Sequence, residues 1–228
     1  MYIGGLQKTS LIDYNDKLCC VIFTSGCNFG CQYCHNPELL GFDSKIPQYQ
    51  VVEFLKSKAG VLDGVVITGG EPTLQKDLQK FIQSIKELGF LVKLDSNGSN
   101  PQVLQNLINQ NLVDYIAMDV KAPFAKYHQV AGTFLPECIY RQSIDIIKES
   151  GIDYEFRTTV VKSQLSLDDI MEIAIQVKNA KRYILQKFIP AKTFSPRFAT
   201  EQTYTDEEFN SIVSKIKAQK IVEECFVR

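Results

Sequence analysis

Short apolar runs rich in β-branched residues recur along the chain, separated by stretches in which apolar residues return every three or four positions. The first pattern predicts strands at residues 19–24, 64–68, 91–95, 115–119, 154–160 and 183–188. The second predicts helices between them. Leu74, Leu78, Phe81, Ile82, Ile85 and Leu88 fall on one helical face, with Pro72 at the entrance and Gly89 at the exit. Ser166 followed by Asp169 resembles a capping box ahead of Ile170 and Ile173, and Thr205 with Glu208 makes another ahead of Phe209, Ile212 and Ile216. Gly60 and Gly151 stand where helices end. Strand–helix alternation of this kind builds βα units around a parallel sheet, and six such strands make an incomplete barrel. The fold class expected is therefore α/β, a partial (β/α)6 TIM-like barrel, with a short terminal strand within residues 220–227.

No repeat, low-complexity tract or linker interrupts the pattern, so residues 1–228 are expected to form a single domain. With 45% hydrophobic residues the chain can bury a sizeable core. Twenty-five Lys and Arg against 26 Asp and Glu give a net charge of -1, hence no overall pull toward nucleic acid or an anionic membrane. The N-terminus lacks a basic segment followed by a long apolar stretch, and the longest apolar runs are strand-sized. These features predict a cytoplasmic protein with neither nucleic acid nor membrane as partner. Seven cysteines, an odd number that includes the adjacent Cys19 and Cys20, argue against a disulfide framework and for metal ligation in a reducing compartment. Cys19, Cys20, Cys138 and Cys225 read as chemically silent.

The other three cysteines lie together in Gly26-Cys27-Asn28-Phe29-Gly30-Cys31-Gln32-Tyr33-Cys34-His35-Asn36-Pro37, directly after the first predicted strand. Three thiols in so short a loop can converge on one inorganic centre, and Gly26, Asn28 and Gly30 suit positive φ, letting the loop curl and aim N–H groups at sulfur. A structural zinc site would need a fourth ligand, for which only His35 is at hand, awkwardly next to Cys34. Three cysteines on a four-iron cluster instead leave one iron open.

Further candidates end later strands. Thr68-Gly69-Gly70-Glu71-Pro72 is a glycine turn leading into a helix; Glu71 can accept from an ammonium group, and no Lys-Ser or Lys-Thr follows as a phosphate loop would require. Asp95 precedes Ser96-Asn97-Gly98, an ordinary turn signal by itself. Strand alternation places Ala117, Asp119 and Lys121 on one face, where the acid and the lysine form either a structural ion pair or part of a site. Arg157 serves either a ligand or a salt bridge, for instance to Glu155. His128 reads as a surface or packing residue. All four motifs lie at the C-terminal ends of predicted strands, the end that carries the site in parallel barrels.

The spacing C-x-x-x-C-x-x-C, with the aromatic Tyr33 before the last cysteine, resembles the motif of the radical S-adenosylmethionine (SAM) superfamily. Cys34-His35-Asn36-Pro37-Glu38-Leu39 resembles its glycyl-radical-enzyme activases. Among these, the chain is most similar to the activating proteins of anaerobic ribonucleoside-triphosphate reductase, from Lys8-Thr9-Ser10-Leu11-Ile12-Asp13 through the sixth strand. The resemblance implies one 4Fe-4S cluster on Cys27, Cys31 and Cys34, with SAM at the open iron. It implies SAM contacts from Tyr33, His35, Gly69, Gly70, Glu71, Asp95, Ser96, Asn97, Asp119, Val120 and Lys121, and from Arg157 to the carboxylate or ribose. A monovalent cation near Asp95 and Asp119 accompanies SAM in some members. The implied reaction cleaves SAM reductively to methionine and a 5'-deoxyadenosyl radical, which takes a hydrogen atom from a glycine of the partner enzyme. Flavodoxin or ferredoxin is the implied electron donor.

Two departures narrow the expectation. The histidine expected near the sixth strand of pyruvate formate-lyase activases is absent from Tyr183-Ile184-Leu185-Gln186-Lys187-Phe188, which weakens that target. No cysteine lies between His35 and Gly64, so a ferredoxin-like insertion is not expected and a single cluster is. The competing readings are a radical SAM enzyme acting on a small molecule, such as a 7-carboxy-7-deazaguanine synthase relative, and a noncatalytic electron-transfer or metal-binding module. The latter has little use for the acids and lysine at the strand ends.

Overall fold

A computed structural model describes residues 1–228. Its eight strands form one sheet in sequential order: β1 (Ile3–Ser10), β2 (Cys19–Thr24), β3 (Gly64–Gly69), β4 (Leu91–Ser96), β5 (Tyr115–Asp119), β6 (Asp153–Val160), β7 (Arg182–Lys187) and β8 (Glu224–Val227). From β2 to β8 every neighbouring pair is parallel. The helices of the crossovers are α1 (Gln48–Lys56), α2 (Leu78–Glu87), α3 (Pro101–Asn109), α4 (Tyr127–Ala131), α5 (Glu137–Glu149), α6 (Leu167–Gln176) and α7 (Asp206–Ala218). The edges β1 and β8 do not pair with each other, so the barrel stays open on one side.

The six expected strands appear as β2 to β7, and the short terminal strand as β8. β1 was not expected. Its sequence IGGLQKTS carries two glycines and four polar residues, and it pairs antiparallel to β2 through two register irregularities. Such a segment has no alternation to read; only the edge of β2 makes it a strand.

The helix expected from Leu74 onward is broken. Pro72–Leu74 forms a single 3-10 turn, Gln75 is extended, and α2 begins at Leu78. The break releases Gln75, whose buried side chain donates to the Ser25 carbonyl at 2.7 Å and accepts from the Tyr2 N–H at 2.8 Å. It thereby ties β1 to the start of the cysteine loop. Both expected capping boxes are present: Ser166 Oγ accepts from the Asp169 N–H while Asp169 Oδ2 accepts from the Ser166 N–H, and Thr205 and Glu208 repeat the exchange.

Apolar burial falls in two layers. The larger lies between sheet and helices and includes Ile22, Ile67, Phe81, Leu94, Phe156 and Cys225. The smaller fills the concave face with Tyr14, Cys19, Val21, Val66, Tyr115 and Ala117. Beside this second layer the concave face is charged. Lys93, 2% exposed at its side chain, donates to the Asp13 carbonyl at 2.6 Å and lies 3.7 Å from Glu155, which is fully buried and accepts from the Tyr115 hydroxyl at 2.8 Å. No helix is long and apolar enough to cross a membrane.

Candidate active site

The cysteine loop leaves β2 and is pinned on several sides by backbone. Gly26 and Cys27 donate to the carbonyls of Leu39 and Leu40, Gly30 to that of Ala131, and Phe194 and Ser195 donate to the carbonyls of Cys34 and Gln32. Of the three residues suited to positive φ, only Gly26 adopts it, at 102°. Asn28 works through its side chain instead, donating to Ser99 Oγ and accepting from Asn97 Nδ2, each at 2.9 Å. The curl aims one N–H at sulfur, from Phe29 to Cys27 Sγ at 3.4 Å.

Gly69 and Gly70 let β3 end directly against this loop. Gly69 has φ 111°, and a Cβ there would overlap the Thr24 backbone; one at Gly70 would overlap the Gly26 carbonyl. Their smallness thus admits protein backbone. Two hydrogen bonds result, Gly70 N–H to Thr24 O and Glu71 N–H to Gly26 O, both 2.8 Å.

The Glu71 carboxylate is fully buried and heavily bonded. Oε1 accepts from the Thr73 N–H (3.0 Å), Thr73 Oγ1 (2.6 Å) and Ser96 Oγ (2.9 Å), and Oε2 accepts from the Asn97 N–H (2.6 Å). Burial pushes its pKa up, and these bonds oppose the shift. Glu71 is therefore the hub that locks the end of β3 to the end of β4, and through Asn97 and Asn28 to the cysteine loop.

Across the barrel, Arg157 on β6 bridges two acids. Its Nε donates to Asp119 Oδ1 at 2.9 Å and its Nη1 to Asp95 Oδ2 at 3.2 Å, while Glu155 lies farther away at 3.9 Å. Lys121 donates to the other oxygen of Asp119 at 2.9 Å. Burial raises the Asp119 pKa, but Arg157 and Lys121 more than offset this and hold it at about 2. The same pairing keeps Lys121 charged, its pKa raised despite burial.

These groups face one cavity of about 200 Å³. Cys27, Cys31, Tyr33, Cys34, His35, Gly69, Gly70, Glu71, Asp95, Ser96, Asn97, Asp119, Lys121 and Arg157 all line it. Val120 does not: it is 1% exposed and packs in the larger apolar layer, because alternation past Asp119 turns it outward. Phe29, Asn36, Leu40 and Thr68 also line the cavity, and only their adjacency to the motifs could have marked them.

No three or more His, Cys, Asp or Glu side chains are gathered tightly enough for a single metal ion. The three thiols line one cavity. The His35 Nε2 donates to the Ile189 carbonyl at 2.9 Å, and its ring stacks on Phe188. Asp95 and Asp119 are already paired with Arg157, and Asp119 also with Lys121. Two residues that line the cavity carry buried polar atoms without a hydrogen-bond partner, Tyr33 Oη and Asp95 Oδ1.

Comparison with known proteins agrees with this geometry. Residues 21–177 match the family model of the radical SAM superfamily. A protein of Methanocaldococcus jannaschii named as a glycyl-radical enzyme activating enzyme is 36% identical over 99% of this chain and 95% of its own length. A second so named from the same organism is 31% identical over 77% of this chain and 68% of its own. Among solved structures, Streptococcus suis SuiB bound to its precursor peptide SuiA superposes with a TM-score of 0.73 at 15% identity, covering 91% of this chain and 48% of SuiB. That likeness establishes the shared fold. The chain belongs to the radical SAM superfamily.

Proposed function

We propose that this protein is the activase of a glycyl radical enzyme, with anaerobic ribonucleoside-triphosphate reductase as the target. In this reading residues 1–228 act as one radical SAM domain, Cys27, Cys31 and Cys34 hold a single 4Fe-4S cluster, and SAM occupies the remainder of the cavity. The observation that carries it is the gathering of the cysteine loop and the ends of β3, β4, β5 and β6 around one cavity. The full-length similarity to a protein named as a glycyl-radical enzyme activating enzyme supports the choice of substrate class.

When bound, the cluster supplies the electron that splits SAM. The chain's own groups do the holding. Glu71 keeps the Gly69–Glu71 turn against the cysteine loop; Asp95, Asp119, Lys121 and Arg157 offer a charge-balanced wall for the zwitterionic methionine part and the ribose; Tyr33 and Phe29 supply apolar surface. A second cavity of about 430 Å³ shares Asp95 and Arg157 with the first and reaches the open side of the barrel at Asn15 and Arg228. It offers a route for a glycine-bearing loop of the partner. Flavodoxin or ferredoxin would deliver the electron.

Anaerobic reconstitution should give about four irons per chain, and alanine at Cys27, Cys31 or Cys34 should abolish SAM cleavage; cleavage retained in any of them refutes the site. With SAM and reductant, mixing with anaerobic ribonucleotide reductase should raise a glycyl radical signal in electron paramagnetic resonance. A signal with a different glycyl radical enzyme only would refute the target and leave the chemistry standing.

A further inference from the structure

The segment Ser10-Leu11-Ile12-Asp13 leaves β1 and contributes no side chain to the active-site cavity. It presents two adjacent aliphatic side chains to solvent, Leu11 at 75% and Ile12 at 80% exposure. The turn that does so is held firmly from within. Ser10 Oγ accepts from the Ile12 N–H at 3.2 Å and from the Asp13 N–H at 3.3 Å, and the buried Lys93 donates to the Asp13 carbonyl at 2.6 Å. The backbone on both sides of Ile12 is thereby fixed with the aliphatics outward. Adjacent apolar side chains displayed at the mouth of a cavity mark a surface that another molecule covers.

Leu11 and Ile12 stand at such a mouth. They line a cavity of about 670 Å³ that also takes in Glu224, Phe226 and Arg228 of the β8 edge. Because β1 and β8 do not pair, this cavity lies where the barrel is open. Ile12, Asn15 and Arg228 also line the cavity of about 430 Å³, which in turn shares Asp95 and Arg157 with the active site. The path from the aliphatic rim to the active-site cavity is therefore continuous. Charges of both signs line the outer part, Asp16 and Glu224 with Lys17 and Arg228, so no single sign of charge selects the occupant. Such a lining suits a stretch of polypeptide recognised by its backbone and its apolar side chains, and suits a polyanion poorly.

We propose that Leu11 and Ile12 form the docking site for the glycine-bearing segment of the partner enzyme, gripping an aliphatic or aromatic side chain near the glycine while the glycine passes along the path to the active site. The inference rests on the activase reading and gives that reading its contact surface. A segment that enters through the open side has to cross this rim, and water released from two exposed aliphatics favours its staying there.

The test is the kinetics of glycyl radical formation on anaerobic ribonucleotide reductase, followed by electron paramagnetic resonance; if the unaltered protein activates a different glycyl radical enzyme, that enzyme takes the reductase's place. Leu11→Ser and Ile12→Ser, both at the surface, should fold and load iron as the unaltered protein does, and bind SAM equally well. Each should raise the KM for the partner about tenfold, the effect of losing one well-packed interface side chain, and leave kcat in place at saturating partner. Ile175→Ser removes an aliphatic of 58% exposure from α6 and should leave KM unchanged. An unchanged KM in both rim variants overturns the proposal, as does an equal rise in Ile175→Ser. If the rim instead closes on a second copy of this chain, the unaltered protein sediments as a dimer that Ile12→Ser dissociates, and the proposal falls. An unaltered protein that activates no glycyl radical enzyme removes the activase reading itself, and the inference with it.

Discussion

Replacing Arg157 with Ala removes the cation shared by Asp95 and Asp119, whose side chains are 15% and 27% exposed. Breaking a buried ion pair by deleting one partner costs about 3–5 kcal/mol, because the other charge stays behind. Here two carboxylates are left, but each keeps some compensation: Asp119 retains Lys121 at 2.9 Å, and Asp95 retains Lys93 at 4.0 Å. The loss should therefore fall at the low end, about 3 kcal/mol at pH 7.5, or a fall of ~6–12 °C in melting temperature for a chain of this size. The penalty should also depend on pH. With Arg157 present, the Asp119 pKa is about 2, below its unfolded value, so its contribution is complete above about pH 4 and is lost as pH falls toward 2. Without Arg157 that depression shrinks, so the advantage of the unaltered protein should hold near pH 7.5 and narrow only below about pH 4, within a range from about 7.5 down to about 2.5. Urea unfolding of the apoprotein across that range measures both effects. A loss below about 1 kcal/mol, or a penalty equal at both ends, would refute the account of Arg157 as the bridge between the two acids.

Other substitutions probe the local arguments. Gly69→Ala should be severe, more than about 3 kcal/mol, because it adds strain at φ 111° to overlap with the Thr24 backbone; the yield of folded protein and its urea midpoint report it. Glu71→Gln puts an NH2 group among four donors, so at least one becomes unsatisfied, costing about 1–3 kcal/mol. Thermal unfolding should show the loss, and an unchanged transition would mean that Glu71 is not the hub of this network. Ser166→Ala removes one half of a capping box and should cost about 1 kcal/mol in urea unfolding without altering iron loading.

Legibility followed the locality of the physics. β2 to β7 were readable because parallel strands covered on one face by helices must be short, apolar and β-branched, and residues 19–24 and 115–119 were placed to the residue. The boxes at Ser166 and Thr205 were readable because a cap is satisfied within four consecutive residues. β1 was not, since an edge strand with two glycines is created by its neighbour. Nor was the break at Gln75, whose partners Tyr2 and Ser25 are 73 and 50 residues away. Within the site, the family resemblance brought Val120 along with its neighbours Asp119 and Lys121, whereas strand alternation alone already set it on the other face.

The sequence by itself determined the inventory: three cysteines in one loop, a Gly-Gly-Glu turn, an acid at the end of β4, and an acid with a lysine at the end of β5. It also determined that these groups meet, because parallel strands all deliver their C-terminal ends to one side. Tertiary structure decided what each group does there. It made Glu71 an interior hub, set Arg157 between Asp95 and Asp119, filled the space at the two glycines with backbone, and left the Tyr33 and Tyr140 hydroxyls without partners. Those roles depend on distances between residues tens of positions apart, which no local pattern records and which only the curved sheet brings within a hydrogen bond's reach.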